Sequence, residues 1–409
     1  MIRNKSFNFI FQNTVVLFVK QIVRVVACLW PRDRNMVALG AWMGKTYGDS
    51  PKYLAEYLLE NSDLQLVWIG DESVRSRLPE NARLAFRKKG SLSAAFSLLR
   101  AGTWVCCISI EWDLTTWPLE GFAKLVNTVH GYSLKKGGEE AGRNRKASFF
   151  GGLARKLSMH RKPWGLVGSE KDVRKLLMYD SDYFAPDKMM RIGSPTVSWL
   201  INNRDNGILI EKLRAEFADL IGFNPKSKIV AYLPTWRANG GRPFSFYSLD
   251  VDRQQKWKEM LERNNAVLVE KLHPRSLESY PVVGDSICSF PVSAEKQRQM
   301  DVHELMLVTD VLVSDYSSVG PDFGVLERPC INFMYDLDSY IRECGLIDGW
   351  EDMLPGPMVK TEEELFNAID ANLRSPHYEP APGYKKTCEY QAGRTCEQIL
   401  SFIKGNEVK

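Results

Sequence analysis

Short apolar runs recur along this chain, each followed by a longer stretch of helical periodicity, and the series starts twice. In the first half Met36–Trp42, Leu64–Gly70, Trp104–Ile110 and Leu125–His130 have the length and side chains of buried strands, with Trp164–Gly168 and Met190–Ile192 as two shorter candidates. Ser50–Asn61, Ser91–Ala101 and Glu170–Leu177 between them read as helices. Ile201–Ile208, polar and rich in Asn, Asp and Gly, suits a linker. The series then restarts with strands at Lys228–Leu233, Ala266–Leu272, Ser286–Phe290, Asp310–Ser314 and Cys330–Met334. Helical patterns over Glu211–Ile221, Val251–Asn264, Asp301–Thr309, Pro321–Leu326 and Thr361–Leu373 alternate with them. Alternation of this kind favours parallel sheets covered by helices, because parallel neighbours need long crossovers. A length of 409 residues also exceeds what one core serves. The expected organisation is an amphipathic segment over 1–34, an α/β domain over 35–200 and a second over 201–409. The two domains are expected to face a cleft, with a last helix near Cys388–Ile403 packing back across the junction.

Ser314-Asp315-Tyr316-Ser317-Ser318-Val319-Gly320-Pro321-Asp322-Phe323 follows one of these strands. Pro321 suits the first turn of a helix, so Ser317 and Ser318 stand where a strand ends and a helix begins. In an open α/β sheet ligands bind there, and a helix start favours phosphate. Helix capping would also explain the two serines. Three more segments lie just past strand ends: Val129–Gly137, Tyr232–Arg237 and Glu270–Pro274. Together the four supply two imidazoles, several cations and paired hydroxyls, a set that suits a phosphate-bearing substrate and a hydroxyl nucleophile.

Of five histidines, His130 and His273 occupy matching strand ends. A strand-end histidine can simply satisfy a neighbouring carbonyl, but one in each half favours chemistry. His160 reads as part of a solvated basic loop, His303 sits in a helical pattern and His377 in a Pro-rich loop. Arg237 offers either a forked phosphate contact or an ion pair, and Thr235 a hydroxyl. Lys271 is either a donor-site cation or a solvated strand residue. Lys135 either touches an acidic acceptor or decorates a loop. Asp315 is expected to orient its own turn through backbone N–H groups.

The net charge of +4 gives little reason to expect a nucleic-acid partner. The eight cysteines form no C-x-x-C pair, so neither a zinc site nor a disulfide framework is expected. Asp250-Val251-Asp252 and Asp336-Leu337-Asp338 read as turn and cap residues rather than metal ligands. There is no Walker P-loop and no G-x-G-x-x-G after a strand, and no cofactor or metal is expected. From Phe7 to Trp30 the chain is apolar but interrupted by Lys20 and Arg24, with Arg32 and Arg34 following. Such a segment fits a helix lying in a membrane interface or packed on the protein itself, and the basic flanks favour the first.

These four segments together resemble the CDP-glycerol glycerophosphotransferase family, the teichoic-acid primases and polymerases. His130-Gly131…Leu134-Lys135 is similar to the family's H-G-T-P-L-K, and Pro234-Thr235-Trp236-Arg237 to its P-T-W-R. His273-Pro274 matches an H-P pair, and Ser314–Phe323 the family's S-D-Y-S-S-x-x-x-D-F. Gly44–Pro51 resembles an early G-x-x-Y-x-D-x-P region, and Pro355-Gly356-Pro357 a later P-G-P. The resemblance implies a GT-B architecture and transfer of a polyol phosphate, glycerol or ribitol, from a CDP donor to a hydroxyl of a surface glycan, glycolipid or polymer, with CMP released. It implies His130 as general base, with Gly131 and Lys135 on the acceptor side. His273 would be the second catalytic residue, acting on the donor pyrophosphate and its developing charge, and Thr235, Arg237, Lys271, Ser314, Asp315, Ser317 and Ser318 would bind the donor. Apart from the resemblance, the basic flanks of the N-terminal segment point to a peripheral enzyme on the cytoplasmic face of the membrane. The family's Thr-Pro is Tyr132-Ser133 here, its P-R-N-D reads Pro195-Thr196-Val197-Ser198 and its R-G-x-Y reads Arg342-Glu343-Cys344-Gly345. These departures leave a GT-B glycosyltransferase with a nucleotide-sugar donor as the alternative.

Overall fold

The computed structural model describes residues 2–131, 134–136, 159–237, 243–271 and 301–406. They form two compact units, one of Met1–His130, Gly142–Ser198 and Tyr390–Lys409, the other of Gly131–Ala141 and Trp199–Glu389.

The first unit is built on seven strands: β1 (Asp33–Leu39), β2 (Gln65–Gly70), β3 (Leu84–Lys88), β4 (Ala101–Cys106), β5 (Lys124–Asn127), β6 (Trp164–Leu166) and β7 (Met189–Met190). They are all parallel, in the order β3-β2-β1-β4-β5-β6-β7. Side chains alternate across the pleat. Val37 and Leu39 therefore enter one core with Leu54 and Leu58 of helix Asp49–Asn61, while Met36 and Ala38 enter another with Ala94 and Leu98 of helix Leu92–Arg100. Burial on both faces is why these strands read as continuous apolar runs. Helix Thr395–Ile403 joins the first of these cores through Ile399 and Ile403. Chain order reverses between β1 and β4, where an open parallel sheet leaves a crevice at its carboxyl edge.

The second unit carries β8 (Lys228–Leu233), β9 (Ala266–Glu270), β10 (Val311–Ser314), β11 (Cys330–Phe333) and β12 (Met358–Val359), in the order β12-β11-β10-β8-β9. These are parallel too, and the reversal falls between β8 and β10. The register Ser314↔Leu233 brings the two carboxyl ends level. Each unit is thus a Rossmann-like α/β domain.

Several elements differ from expectation. Residues 201–208 are no linker: helix Pro195–Asn203 is followed almost at once by helix Gly207–Ile221, whose start Asn206 caps by accepting the Leu209 N–H at 3.2 Å. The polar residues there are helix punctuation. β4 ends at Cys106 because Ser109 caps a short helix, Ile110–Asp113. The helix expected from Pro321 starts two residues earlier, at Val319, which keeps Pro321 in its first turn. The last helix starts at Thr395 rather than near Cys388 and runs to Ile403, with a separate short helix, Tyr384–Thr387, before it. The run Ser286–Phe290 lies outside the described residues.

Ile2–Leu29 forms one helix. Val23 packs on the Ala94–Leu98 core and Ala27 is fully buried. Arg32 fastens the helix end: its guanidinium donates to the carbonyls of Ala27, Leu98, Ala101 and Leu119 at 2.6–3.3 Å. The opposite face leaves Phe18, Ile22, Val25 and Leu29 exposed. Among the described residues no helix is long and apolar enough to cross a membrane.

Candidate active site

In the first unit the loops leaving β1, β4 and β5 meet at the reversal of strand order. His130, just past β5, places Nδ1 2.5 Å from Asp49 Oδ2. The imidazole is 39% exposed and the carboxylate 5%. Asp49 opens its helix with a left-handed φ of 60°. Its Oδ1 accepts the Ser50 N–H at 2.6 Å and its Oδ2 the indole N–H of Trp42 at 3.1 Å. Asp113, fully buried, accepts the N–H groups of Met43, Cys107 and Ile108 at 2.8, 2.9 and 2.7 Å, tying the β1 loop to the β4 loop. Burial raises its carboxyl above the usual range while those N–H groups pull it down. A carboxylate that holds Nδ1–H leaves Nε2 as the basic nitrogen. That arrangement can take a proton from a hydroxyl nucleophile.

In the second unit Arg237 follows β8. Its Nε and Nη2 donate to Asp336 at 2.8 and 3.2 Å, Nη2 also to Tyr335 Oη at 3.3 Å, and Nη1 to Asp315 Oδ2 and the Thr235 carbonyl at 2.9 and 2.7 Å. All five N–H donors are engaged within the protein. Burial works against the charge, but Asp315 and Asp336 more than offset it and hold the guanidinium above its ordinary pKa. Arg237 is therefore the hub that braces the strand ends rather than an open fork. Asp315, also buried, accepts the Thr235 N–H at 2.8 Å, so it orients the neighbouring strand's loop rather than its own turn. Ser314 is another cross-strand brace, its Oγ donating to the Leu233 carbonyl at 3.2 Å.

The paired serines are not explained by capping. Ser317 Oγ accepts the Val319 N–H only at 3.5 Å, and Ser318, at the N-cap, makes no side-chain capping bond. Gly131 lies against Ser318 with φ 64°, and a Cβ there would stand 2.3 Å from Ser318 Oγ, so only glycine fits. The chain beyond it is tied to residues 345–347: Ile347 N donates to the Leu134 carbonyl at 2.9 Å and Lys136 N to that of Gly345 at 3.2 Å. Lys135, expected on the acceptor side, is electrostatically coupled to Asp315 and Arg237. Burial lowers its amine's pKa while Asp315 raises it.

Beside this cluster, burial pushes the Glu270 carboxyl up to about 8 and the Lys271 amine down to about 8. Glu270 Oε2 accepts the Phe246 N–H at 3.2 Å. Thr235 Oγ1, Tyr232 Oη and Glu270 Oε1 are buried with no hydrogen-bond partner among the described residues. Such atoms call for a polar partner, and Thr235 Oγ1 at a strand end suits a bound phosphate.

His273 lies outside the described residues. His160 is no solvated loop residue: it is buried, with Nδ1 2.8 Å from Glu120 Oε2 and Nε2 3.0 Å from the Thr115 carbonyl. Its partners lie 40 and 45 residues upstream, which a local basic run does not reveal. The residues missed from sequence are Asp49, Trp42 and Asp336. Asp49 was visible inside Gly44–Pro51 but carried no assigned role. Asp336 reads as a helix cap, yet it makes no capping bond and its carboxylate serves Arg237 and Tyr316 instead.

The family model for CDP-glycerol:poly(glycerophosphate) glycerophosphotransferase matches residues 22–405. The teichoic acid glycerol-phosphate transferase of Staphylococcus aureus is 25% identical over 91% of this chain and 93% of its own length. The teichoic acid poly(glycerol phosphate) polymerase of Bacillus subtilis is 27% identical over 93% of this chain and 50% of its own. Among solved structures, the wall teichoic acid polymerase TagF superposes with a TM-score of 0.72 at 19% identity, over 96% of this chain and 97% of that one. That likeness shows the fold, two Rossmann-like domains of the GT-B kind, and the family model spans both of them. The chain is a member of the CDP-glycerol glycerophosphotransferase family.

Proposed function

We propose that His130 is the general base of a transfer in which a hydroxyl of a glycan, glycolipid or polymer acceptor attacks the polyol-bearing phosphorus of a CDP-polyol. The acceptor proton passes to His130 Nε2, the new P–O bond forms, and the bond to CMP breaks with its electron pair leaving on CMP. The observation that carries this reading is the buried carboxylate of Asp49 2.5 Å from Nδ1 of an imidazole that is itself solvent-accessible. Asp49 fixes the tautomer and stabilises the imidazolium that forms. Thr235, Lys135, Ser317 and Ser318 supply hydroxyl and cationic partners for the donor phosphates, with His273 assigned to the same task from its motif. Arg237, Asp315 and Ser314 set the strand ends that present them. Relatives named for glycerol-phosphate transfer favour a polyol-phosphate cargo over a nucleotide sugar.

The enzyme is proposed to work at the cytoplasmic face of the membrane. Support comes from the exposed apolar face of the N-terminal helix and from Arg34 and Arg100, exposed near its end. A helix of this kind lies in the lipid interface without crossing it.

The test is CMP release from CDP-glycerol and from CDP-ribitol with a lipid-extract acceptor. Wild type is expected to release CMP from one donor only when acceptor is present. His130→Ala is expected to lose roughly 10²–10⁴-fold in kcat. A His130→Ala enzyme of normal rate would remove the base assignment, and transfer from a sugar nucleotide alone would replace the donor.

A further inference from the structure

We infer that Trp42 is a positioning residue for the base, acting through Asp49 to fix the plane and direction of the His130 imidazole. The inference rests on the base reading above.

Asp49 Oδ2 serves two groups at once, His130 Nδ1 at 2.5 Å and the Trp42 indole N–H at 3.1 Å. Its other oxygen is held by the Ser50 N–H. The Ser50 N–H holds Oδ1 and the indole N–H holds Oδ2, so the carboxylate is fixed at both oxygens and Oδ2 meets the imidazole from a set side. The indole also meets the imidazole directly, edge to face at 73° with centroids 4.1 Å apart, which blocks rotation of the ring. One side chain thus constrains both members of the pair.

The backbone supports the same conclusion. Among the described residues, six non-glycine positions have positive φ, and four of them (Trp42, Met43, Asp49 and Val129) are these loops or adjoin His130. Such conformations persist only where the surroundings over-determine them, and they cluster at functional sites. Here the Trp42–Met43 turn is clamped from both sides, Met43 N by Asp113 at 2.8 Å and the Met43 carbonyl by Lys89 Nζ at 3.1 Å. A tryptophan that only filled space would need neither its N–H partner nor a strained backbone.

The test compares wild type, Trp42→Phe, Asp49→Asn and the double variant, using whichever CDP-polyol supports CMP release. Trp42→Phe keeps an aromatic ring and removes the N–H. It is expected to lower kcat by roughly tenfold, the scale of a misoriented catalytic group, with donor KM within about twofold. Because Trp42 acts through Asp49, the double variant is expected to be no slower than Asp49→Asn alone. Trp42→His, which keeps a ring N–H, is expected to recover part of the rate. A second readout needs no turnover: in protein labelled with ¹⁵N-histidine, the Nδ1 proton signal that disappears in His130→Ala should move in Trp42→Phe. Losses that add in the double variant, an unchanged kcat, no recovery by Trp42→His, or an unmoved signal in folded Trp42→Phe would each overturn the inference. If His130→Ala keeps its rate, the base reading falls and Trp42 with it. If His130→Ala is inactive while Trp42→Phe equals wild type, Trp42 alone is refuted.

Discussion

At the scale of a single residue, Arg237 braces the strand ends of the second unit. A guanidinium just past a strand end invites the expectation of a forked phosphate contact. In the fold its donors all go to Asp315, Asp336, Tyr335 and the Thr235 carbonyl. Lysine cannot reproduce five directed N–H groups. Arg237→Lys should therefore lower stability by about 3–5 kcal/mol, the cost of breaking a buried pair, read as a shifted urea midpoint. CMP affinity should fall in parallel. A fully stable Arg237→Lys protein with weakened CMP binding would instead make Arg237 a direct ligand. The same residue shows what was legible. Glycine at 131, the paired serines and His130 announce themselves by type and by position after a strand. Asp49 and Asp336 do not, because their partners stand 81 and 99 residues away and no local periodicity encodes such a pairing.

At the scale of elements, the central strands were readable because each is buried on both faces and so is continuously apolar. β3 and β12 were not: both are sheet edges, one half-buried and ending in Arg87-Lys88, the other two residues long. The end of β9 carries a consequence for pH. Glu270 is pushed from 4.5 to about 8, so the folded protein keeps a proton that the unfolded chain releases. Its contribution is fully present below about 4.5 and is lost as pH rises through about 8. Glu270→Gln removes that dependence. Between about pH 5 and pH 8 the melting temperature of wild type should fall by a few degrees more than that of the variant. Parallel curves would show that Glu270 is already ionised in the fold. Lys271, depressed from 10.5 to about 8, acts in the opposite sense and mainly above this window.

For the whole molecule, the proposed site of action depends on the N-terminal helix. Replacing Phe18 and Val25 together by Glu places two charges on its exposed apolar face. Binding to anionic vesicles should drop by about tenfold or more, and wild-type binding should weaken with salt. CMP release with a water-soluble acceptor should be unaffected. Equal sedimentation of both proteins with vesicles would show that the apolar face has another use. The helix was legible as amphipathic; which of its sides faces outward was not, because that is decided by Val23, Ala27 and the Arg32 contacts to residues 98, 101 and 119. The path of the chain has one more effect. The first unit draws Ile399 and Ile403 into its core only after the intervening stretch 199–389 has been made. On the ribosome the second unit has its whole chain by residue 389 and can reach its own fold first, while the first waits for its closing helix. A translational pause or truncation between 389 and 395 would leave a finished second domain attached to a first whose hydrophobic interior is still open to water and to chaperones.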